Sequence, residues 1–439
     1  MQHYYHSVRL DMDKCKGCTT CLKRCPTEAI RIRNNRASIL NERCIDCGEC
    51  IKVCANHAKV AVTDPLESIK VIKRYKYPIA LPAPTLYAQF QGVHQPEPII
   101  ASLFRLGFVD VFEVARAAEI VSYAISRAMR EEDRPKPVLS SACPAILRLI
   151  QVSFPALLDN VIDFVSPMEA AAKIAKEEYA QKHGVDKADV GVFFITPCAA
   201  KMTAIRNPLG HKTSAVNGAI SFLEVYGVLS ELLRKGNIKP DLAHFSATSF
   251  GVNWARTGGE ALAIGENEAL AVDGIDNVIR VLEEIENNRL PEVRYFEGLA
   301  CLGGCVGGPL TFENMFIARN RIRLLAQMLP KTRPEQKIPD KELDDLRDAI
   351  YFEEPLKPFE NTRLDEDFKV AMEKMARIRQ LRKQLPGLDC GSCGSPTCQA
   401  LAEDVVQGFA TELNCIHLLK ERLSFMASQM VEMAEATRE

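Results

Sequence analysis

The sequence predicts an α/β central region built on parallel sheets, flanked by two small cysteine-rich domains, the last of them mainly helical. Three observations predict it. Short apolar runs alternate with helical patterns through the middle of the chain, the arrangement that layers helices on parallel strands. A cysteine run is duplicated within residues 1–63. A further run, Cys390 to Cys398, opens a stretch of helical pattern. The expected organisation is 1–63, a central domain over 64–335, a linker and helix over 336–379, and a last domain over 380–439.

The 439 residues suffice for roughly two to four domains, and an apolar fraction of 47% supports a sizeable core. A net charge of −2 gives no reason to expect nucleic acid or an anionic membrane as partner. No apolar run reaches transmembrane length, and the opening "MQHYYHSVRLD" lacks the apolar core of a secretory signal. The expected compartment is the cytoplasm, where thiols stay reduced, so clustered cysteines there bind metal rather than form disulfides. The chain has 16 cysteines.

In the first domain, "CKGCTTCLKRCP" places Cys15, Cys18, Cys21 and Cys25 at C-x2-C-x2-C-x3-C-P, and "CIDCGECIKVCA" repeats the spacing with Cys44, Cys47, Cys50 and Cys54. Tight spacing lets one loop wrap three corners of an iron–sulfur cube, while the fourth thiolate comes from the other repeat. Cys15, Cys18, Cys21 and Cys54 are therefore expected to hold one 4Fe-4S cluster, and Cys44, Cys47, Cys50 and Cys25 a second. Structural zinc competes with this reading, but zinc sites seldom use three cysteines at this spacing, and here the run is duplicated. The domain resembles bacterial two-cluster ferredoxins, which implies an α+β fold. It departs from them in ending Cys54-Ala55 without the usual proline.

Four central cysteines remain. "KPVLSSAC" reads as a short strand running into Cys143, "VGVFFITPC" as a buried strand ending at Cys198, and "VRYFEGLACLGGC" as a strand and Gly-rich loop with Cys301 and Cys305. A fourth strand, "YPIAL", leads to the "PAP" of residues 82–84. A helix is expected from "SPME", with Ser166 as N-cap, Pro167 at the first position and Glu169 closing a capping box, to end near Gly184. Ligands in α/β folds sit beyond the carboxyl ends of strands, so the four cysteines can converge. Glycines 303, 304, 307 and 308 are expected to let backbone approach something bulky. Any one of these cysteines alone could be an inert core residue.

"SACPA", "TPCAAK" and "EGLACLGGCVGG" resemble the three signature segments of FeFe-hydrogenases, and "PAP" and "TGG" (Thr257 to Gly259) resemble further pocket segments. The resemblance covers about residues 64–330. It implies parallel-sheet lobes with the active site between them and an H-cluster: a cube on Cys143, Cys198, Cys301 and Cys305, with Cys305 bridging to a diiron unit carrying CO, cyanide and a dithiolate amine. Lys201 would donate a hydrogen bond to a cyanide, and Ala83 and Pro84 would pack round other diatomic ligands. The implied cofactors of the whole chain are three 4Fe-4S clusters plus this H-cluster.

The departures from that family bear on rate. A second cysteine usually precedes the Cys143 position and relays protons; here it is Ala142, which carries none. The relay usually continues through two glutamates, expected on "AAEIVSYAISRAMR" between Tyr123 and Ala128, where no acid stands; Glu119 is the one acid of that stretch. Thr196 and Leu299 replace methionines that flank the diiron unit, and Ala204 replaces a glutamate. A positioned acid or base supplies ~10²–10⁴-fold in rate, so slow turnover is expected unless another group substitutes, such as water admitted by the small Ala142. The pattern resembles the sensory FeFe-hydrogenases.

The linker "KPFENTRLDEDFKVAMEKMARIRQLRKQ" reads as a charged loop and helix. Beyond it, Cys390, Cys393, Cys398 and Cys415 stand at C-x2-C-x4-C-x16-C, a third 4Fe-4S site with zinc again the competing reading; "CQALAEDVV" reads as helix. The stretch resembles a small iron–sulfur domain of anaerobic electron-transfer subunits. Ile416, Leu419, Leu423, Met426, Met430 and Met433 alternate by 3 and 4, a seam suited either to homodimerisation or signalling or to packing on its own domain. No PAS-like or kinase-like segment follows, so a signal is expected to pass to a separate protein. Three functions are compatible: reversible H₂ oxidation with a soluble redox partner such as ferredoxin, H₂ or redox sensing with a signalling partner, and electron transfer or iron–sulfur assembly without the diiron unit.

Overall fold

The computed structural model describes residues 5–66, 75–131, 134–236, 245–359 and 364–436. The N-terminal segment carries strand β1 (Val8–Leu10), helix α1 (Thr20–Arg24), β2 (Ile30–Arg33), β3 (Arg36–Ile39) and β4 (Lys59–Ala61). Among the elements of the central region are β5 (Tyr77–Pro82), β6 (Asp110–Val111), α2 (Val114–Glu131), β7 (Val138–Leu139), α3 (Pro144–Ser153), α4 (Pro167–His183), β8 (Val190–Thr196), α5 (Ala199–Arg206), β9 (Gly218–Ser221), α6 (Gly259–Ile264), β10 (Ala269–Asp273) and β11 (Tyr295–Leu299). Helices α7 (Phe368–Gln384), α8 (Cys398–Val406) and α9 (Ile416–Ala436) follow.

The chain divides into two compact units, and the division is not linear. Ala61–Pro358 groups with Met1–Val8 and Ile45–Gly48, whereas Arg9–Cys44 and Glu49–Val60 group with Phe359–Glu439. The expected linker over 336–379 is thus shared out: residues to Pro358 belong to the first unit and α7 to the second. Side-chain chemistry explains both exchanges. In the first unit, Asp46 accepts from the Val8 backbone N–H at 3.0 Å and pairs with His6 Nδ1 at 2.8 Å. In the second, the buried Asp404 of α8 accepts from Arg31 Nε at 2.7 Å and Arg33 Nη2 at 2.8 Å.

The first unit is the α/β layer structure. One parallel sheet has the order β6-β5-β8-β9 and a second the order β10-β11-β7. All seven residues of β8 are buried, as expected of a central parallel strand covered on both faces. In register, Pro82 lies opposite Ile195, and Leu139 opposite Phe296. The carboxyl ends of β5 and β8 therefore finish nearly together, whereas β11 runs on to Leu299, past the end of β7. Helix α4 spans Pro167–His183 with Ser166 at its N-cap and left-handed Gly184 (φ 62°) at its end. The capping box, however, does not form. Ser166 makes no side-chain cap bond. Glu169 turns into the core instead, accepting from Ser214 Oγ at 2.6 Å and from the Ala215 N–H at 2.5 Å.

In the second unit, β2 and β3 form an antiparallel hairpin with Ile32 opposite Ala37, and Cys15 and Cys21 are buried in one small apolar cluster with Cys25, Cys50 and Cys54 packed against it. The part from 364 onward is helical, with Cys398 and Cys415 buried beside Leu381 and Leu401. No residue of α9 is buried. Among the described residues, no helix is long and apolar enough to cross a membrane.

Candidate active site

The site is built by four strand ends. β5 delivers Ala83 and Pro84, β8 delivers Cys198, β7 leads to Ala142 and Cys143, and β11 leads through Leu299 to Cys301 and Cys305. All of these line one cavity of about 90 Å³, several times what one water requires. Cys143 and Cys198 are the N-caps of α3 and α5, so the positive ends of two helix dipoles favour thiolates there. The charged side chains lining the cavity are Lys201, Glu260 and Glu297. Lys201 Nζ donates to the Ala142 carbonyl at 3.2 Å.

The donor set fits a thiolate-held metal group. Burial, and then the neighbouring Cys143, pushes the Cys198 thiol up to about 11. Burial, and then Cys198 and Cys143, pushes Cys305 up to about 12. Thiols so placed ionise only with a compensating cation, which a bound iron cluster provides. Gly304, in the Cys301–Cys305 loop, and Gly308, just past it, both line the cavity and both lie hard against the protein's own backbone. A Cβ on Gly304 (φ +89°) would meet the Thr257 nitrogen at 2.7 Å, and one on Gly308 the Pro197 carbonyl oxygen at 2.6 Å.

Of the remaining expected pocket residues, Thr196 is buried but stands apart from the cavity lining, its hydroxyl accepting from the Cys198 N–H at 3.1 Å. Glu119 is buried on α2 and occupied: its carboxylate accepts from the Thr248 N–H at 2.5 Å and from Lys337 Nζ at 2.8 Å. Ala204 lines a separate, smaller pocket.

Sequence reasoning missed four residues. Glu260 Oε2 accepts from Ser140 Oγ at 2.7 Å, and Glu260 Oε1 from the Tyr295 hydroxyl at 2.8 Å. Ser140 Oγ also accepts from the Ala142 N–H at 3.2 Å. Glu297 accepts from the N–H groups of Gly258 and Ala261, both at 2.9 Å. Burial, and then the Glu297 charge, raises Glu260; burial raises Glu297. A signal existed: Glu297 is an acid inside the apolar strand "YFEGL", and Glu260 directly follows "TGG".

The segment Ile45–Gly48 packs into the same apolar cluster as Cys143 and Cys198, bringing Cys47 with it. Ser7, beside it, donates to the Ala199 carbonyl at 2.8 Å, at the start of α5. The first unit thus holds a ferredoxin-type cysteine on the apolar cluster that Cys143 and Cys198 also pack against.

Parallel sheets ending on a cysteine-lined cavity, in a chain that also carries ferredoxin-type cysteine runs, mark an iron–sulfur protein. The chain belongs to the iron-only hydrogenase large subunit family, whose C-terminal domain matches residues 76–309. A 4Fe-4S dicluster domain matches 7–55 and an Fe-S cluster domain matches 385–417. The chain is similar to the NADP-reducing hydrogenase subunit HndD of Solidesulfovibrio fructosivorans, 25% identical over 388 residues, covering 70% of this chain and 66% of that one. It is also similar to iron hydrogenase 1 of Clostridium pasteurianum, 24% identical over 370 residues (69% and 64%). A third relative is the periplasmic Fe hydrogenase large subunit of Nitratidesulfovibrio vulgaris, 25% identical over 362 residues (69% and 86%). The chain thus spans just under two thirds of the first two relatives.

Proposed function

We propose that this chain is an FeFe-hydrogenase that interconverts H₂ with protons and electrons slowly, and that sensing H₂ or redox state is its role. The observation that carries this is the convergence of Cys143, Cys198, Cys301, Cys305 and Lys201 on one cavity with Ala142 at the usual proton-relay position. An H-cluster bound there supplies heterolytic H₂ cleavage.

Each residue then has a part. Cys143, Cys198, Cys301 and Cys305 would hold the cluster by their thiolates. Lys201 holds a cation at the cavity wall, suited to an anionic cyanide, while its bond to the Ala142 carbonyl ties the β8 side of the site to the β7 side. Ala83, Pro84 and Leu299 give the wall an apolar surface that excludes water. Glu260 takes the place of the absent thiol. A buried carboxyl raised toward neutrality holds and releases a proton at working pH, and its Oε2 is tied to Ser140 Oγ, two residues from Ala142. Within the first unit, Cys47 packs against the apolar cluster that Cys143 and Cys198 also pack against, which supports its role as a ligand of an electron-relaying cluster.

A soluble one-electron carrier such as ferredoxin exchanges electrons with the outer clusters, and a signalling protein reads their state. The exposed seam Ile416, Leu419, Leu423, Met426, Met430 and Met433 pairs with a second copy, as its 3-and-4 spacing favours. The test is infrared spectroscopy on chain co-expressed with diiron maturation enzymes. CO and cyanide bands are expected; their absence after verified maturation would leave the electron-transfer or assembly reading. Turnover as high as that of fast hydrogenases would argue against sensing.

A further inference from the structure

The last cysteine set, Cys390, Cys393, Cys398 and Cys415, shares a unit with Cys15, Cys18, Cys21 and Cys54, although some 330 residues separate them in sequence. What joins them is the β2–β3 hairpin. On its outer edge, the Ile32 N–H donates to the Gly394 carbonyl at 2.8 Å, and Arg33 Nη1 to the Cys393 carbonyl at 3.1 Å. On its other edge, the Ala37 N–H points at Cys15 Sγ, 3.4 Å away. Ile32 and Ala37 are directly opposed across the hairpin. Both spend their N–H groups outward, so they form a non-hydrogen-bonded pair, the closest approach two antiparallel strands make, about 4.5 Å between Cα atoms. One residue pair therefore touches the ligand loop of each set.

The contact is held rigidly. Asp404 is 3% exposed and bonded by Arg31, Arg33 and Ser395 Oγ, the last at 2.7 Å. Lys23, midway between Cys21 and Cys25, donates to the carbonyls of Asp389 and Pro396, which bracket the Cys390–Cys393 loop; the Pro396 bond is 3.0 Å. Gly391 lies so close to this helix that a Cβ there would meet Lys23 Cε at 2.7 Å. A buried ion triad of this kind fixes register and orientation more than it adds stability.

We infer that the β2–β3 hairpin is the electron conduit between the last iron–sulfur site and the Cys15 site, so that the last site stands in series before the ferredoxin-type pair and is the terminus for electrons entering or leaving the chain. Each crossing moves one electron and no proton: the site on one side of the hairpin is oxidised by one electron as the other is reduced by one. A one-electron carrier outside the chain closes the balance. Arg31, Arg33 and Asp404 are positioning residues for this conduit. The inference rests on the reading that these cysteines hold cubes.

The test is electron paramagnetic resonance of the whole chain, reconstituted with iron and sulfide and reduced anaerobically with dithionite, with iron and spins counted. The expected result is a spin–spin split or broadened signal from the last site, beyond the sum of separate cubes. Arg33→Gln with Asp404→Asn should lose that splitting at unchanged iron content. A full spin count with a purely additive wild-type spectrum overturns the conduit and leaves the cubes standing. A spin count short by the last site overturns the cube reading and the conduit together. Should the double variant fail to fold, the wild-type spectrum alone decides.

Discussion

Lys201 and Ala142, 59 residues apart, meet in the lining of the cavity: the lysine Nζ donates to the alanine carbonyl at 3.2 Å. The bond joins the cation that follows Cys198 to the residue that precedes Cys143, and so ties together the ends of two different sheets. It also leaves the small Ala142 side chain, rather than a thiol, lining the site.

Lys201→Met keeps the length of the side chain and removes its three donors. A hydrogen bond from a charged group contributes ~1.5–3 kcal/mol. Retention of the diiron unit should fall roughly 10- to 100-fold on that scale. The intensity of CO and cyanide infrared bands per cube measures it, and full-strength, unshifted cyanide bands would count against the assigned contact.

Ala142→Cys restores a proton carrier at the position where the family usually has one. Turnover should rise about 10-fold or more, within the ~10²–10⁴-fold range of a positioned acid–base group. H₂ evolution with a reduced dye reads it directly. An unchanged rate would mean that the absent thiol does not limit turnover.

Glu260→Gln should lower turnover by about 10²-fold, and by much less in the Ala142→Cys background, where the thiol supplies a second route. The shortfall from additivity in that double-mutant cycle measures how far the two routes substitute for each other. Fully additive losses would place Glu260 outside the proton path.

The same variant carries a pH signature. Burial, and then Glu297, raises the Glu260 carboxyl above its ordinary 4.5. Between 4.5 and the raised value the folded chain holds a proton that the unfolded chain has released, so this group's contribution to stability is greatest at low pH and is lost as pH rises through the raised value. Glu260→Gln cannot ionise. Its unfolding midpoint should therefore fall less than that of wild type between about pH 5 and about pH 9, as followed by circular dichroism.

Gly304→Ala should cost more than about 2 kcal/mol in denaturant unfolding. The added Cβ meets backbone of Arg256 and Thr257 within 2.8 Å at a φ of +89°, and backbone cannot swing aside as a flexible side chain would. A loss near zero would show that the loop can move.

Leu423→Glu places a charge in the middle of the exposed α9 seam, where Leu423 is 57% exposed. A dimer held by this seam should shift to monomer in light scattering, with the melting temperature of the rest unchanged. An unaltered mass would remove the seam from any self-association.

Much of the fold was legible. Strand alternation around Cys143, Cys198 and Cys301 located β7, β8 and β11, because a buried parallel strand must be apolar on both faces. Pro167 and Gly184 bracketed α4 because each has a conformational preference that acts within one turn. The Glu169 capping box failed for a tertiary reason: Ser214 and the Ala215 N–H, some 45 residues on, offered that carboxylate better partners than its own helix end. Thr196 likewise answers to its neighbour, bonding the turn at Cys198 rather than lining the cavity.

By itself, the sequence determined the ligand inventory: the spacings of all 16 cysteines, the strands that end on four of them, and the alanine at the proton position. These follow from covalent spacing and local preference, which act over a few residues. Only the tertiary structure decided that Glu260 turns its carboxylate to Ser140 beside Ala142, that Ile45–Gly48 leaves its own repeat for the central unit, and that Asp404 of the last domain closes on Arg31 and Arg33 of the first. Each is a long-range pairing of buried charged or polar groups. Burial makes the partner obligatory, and nothing in the local pattern says which distant residue it will be.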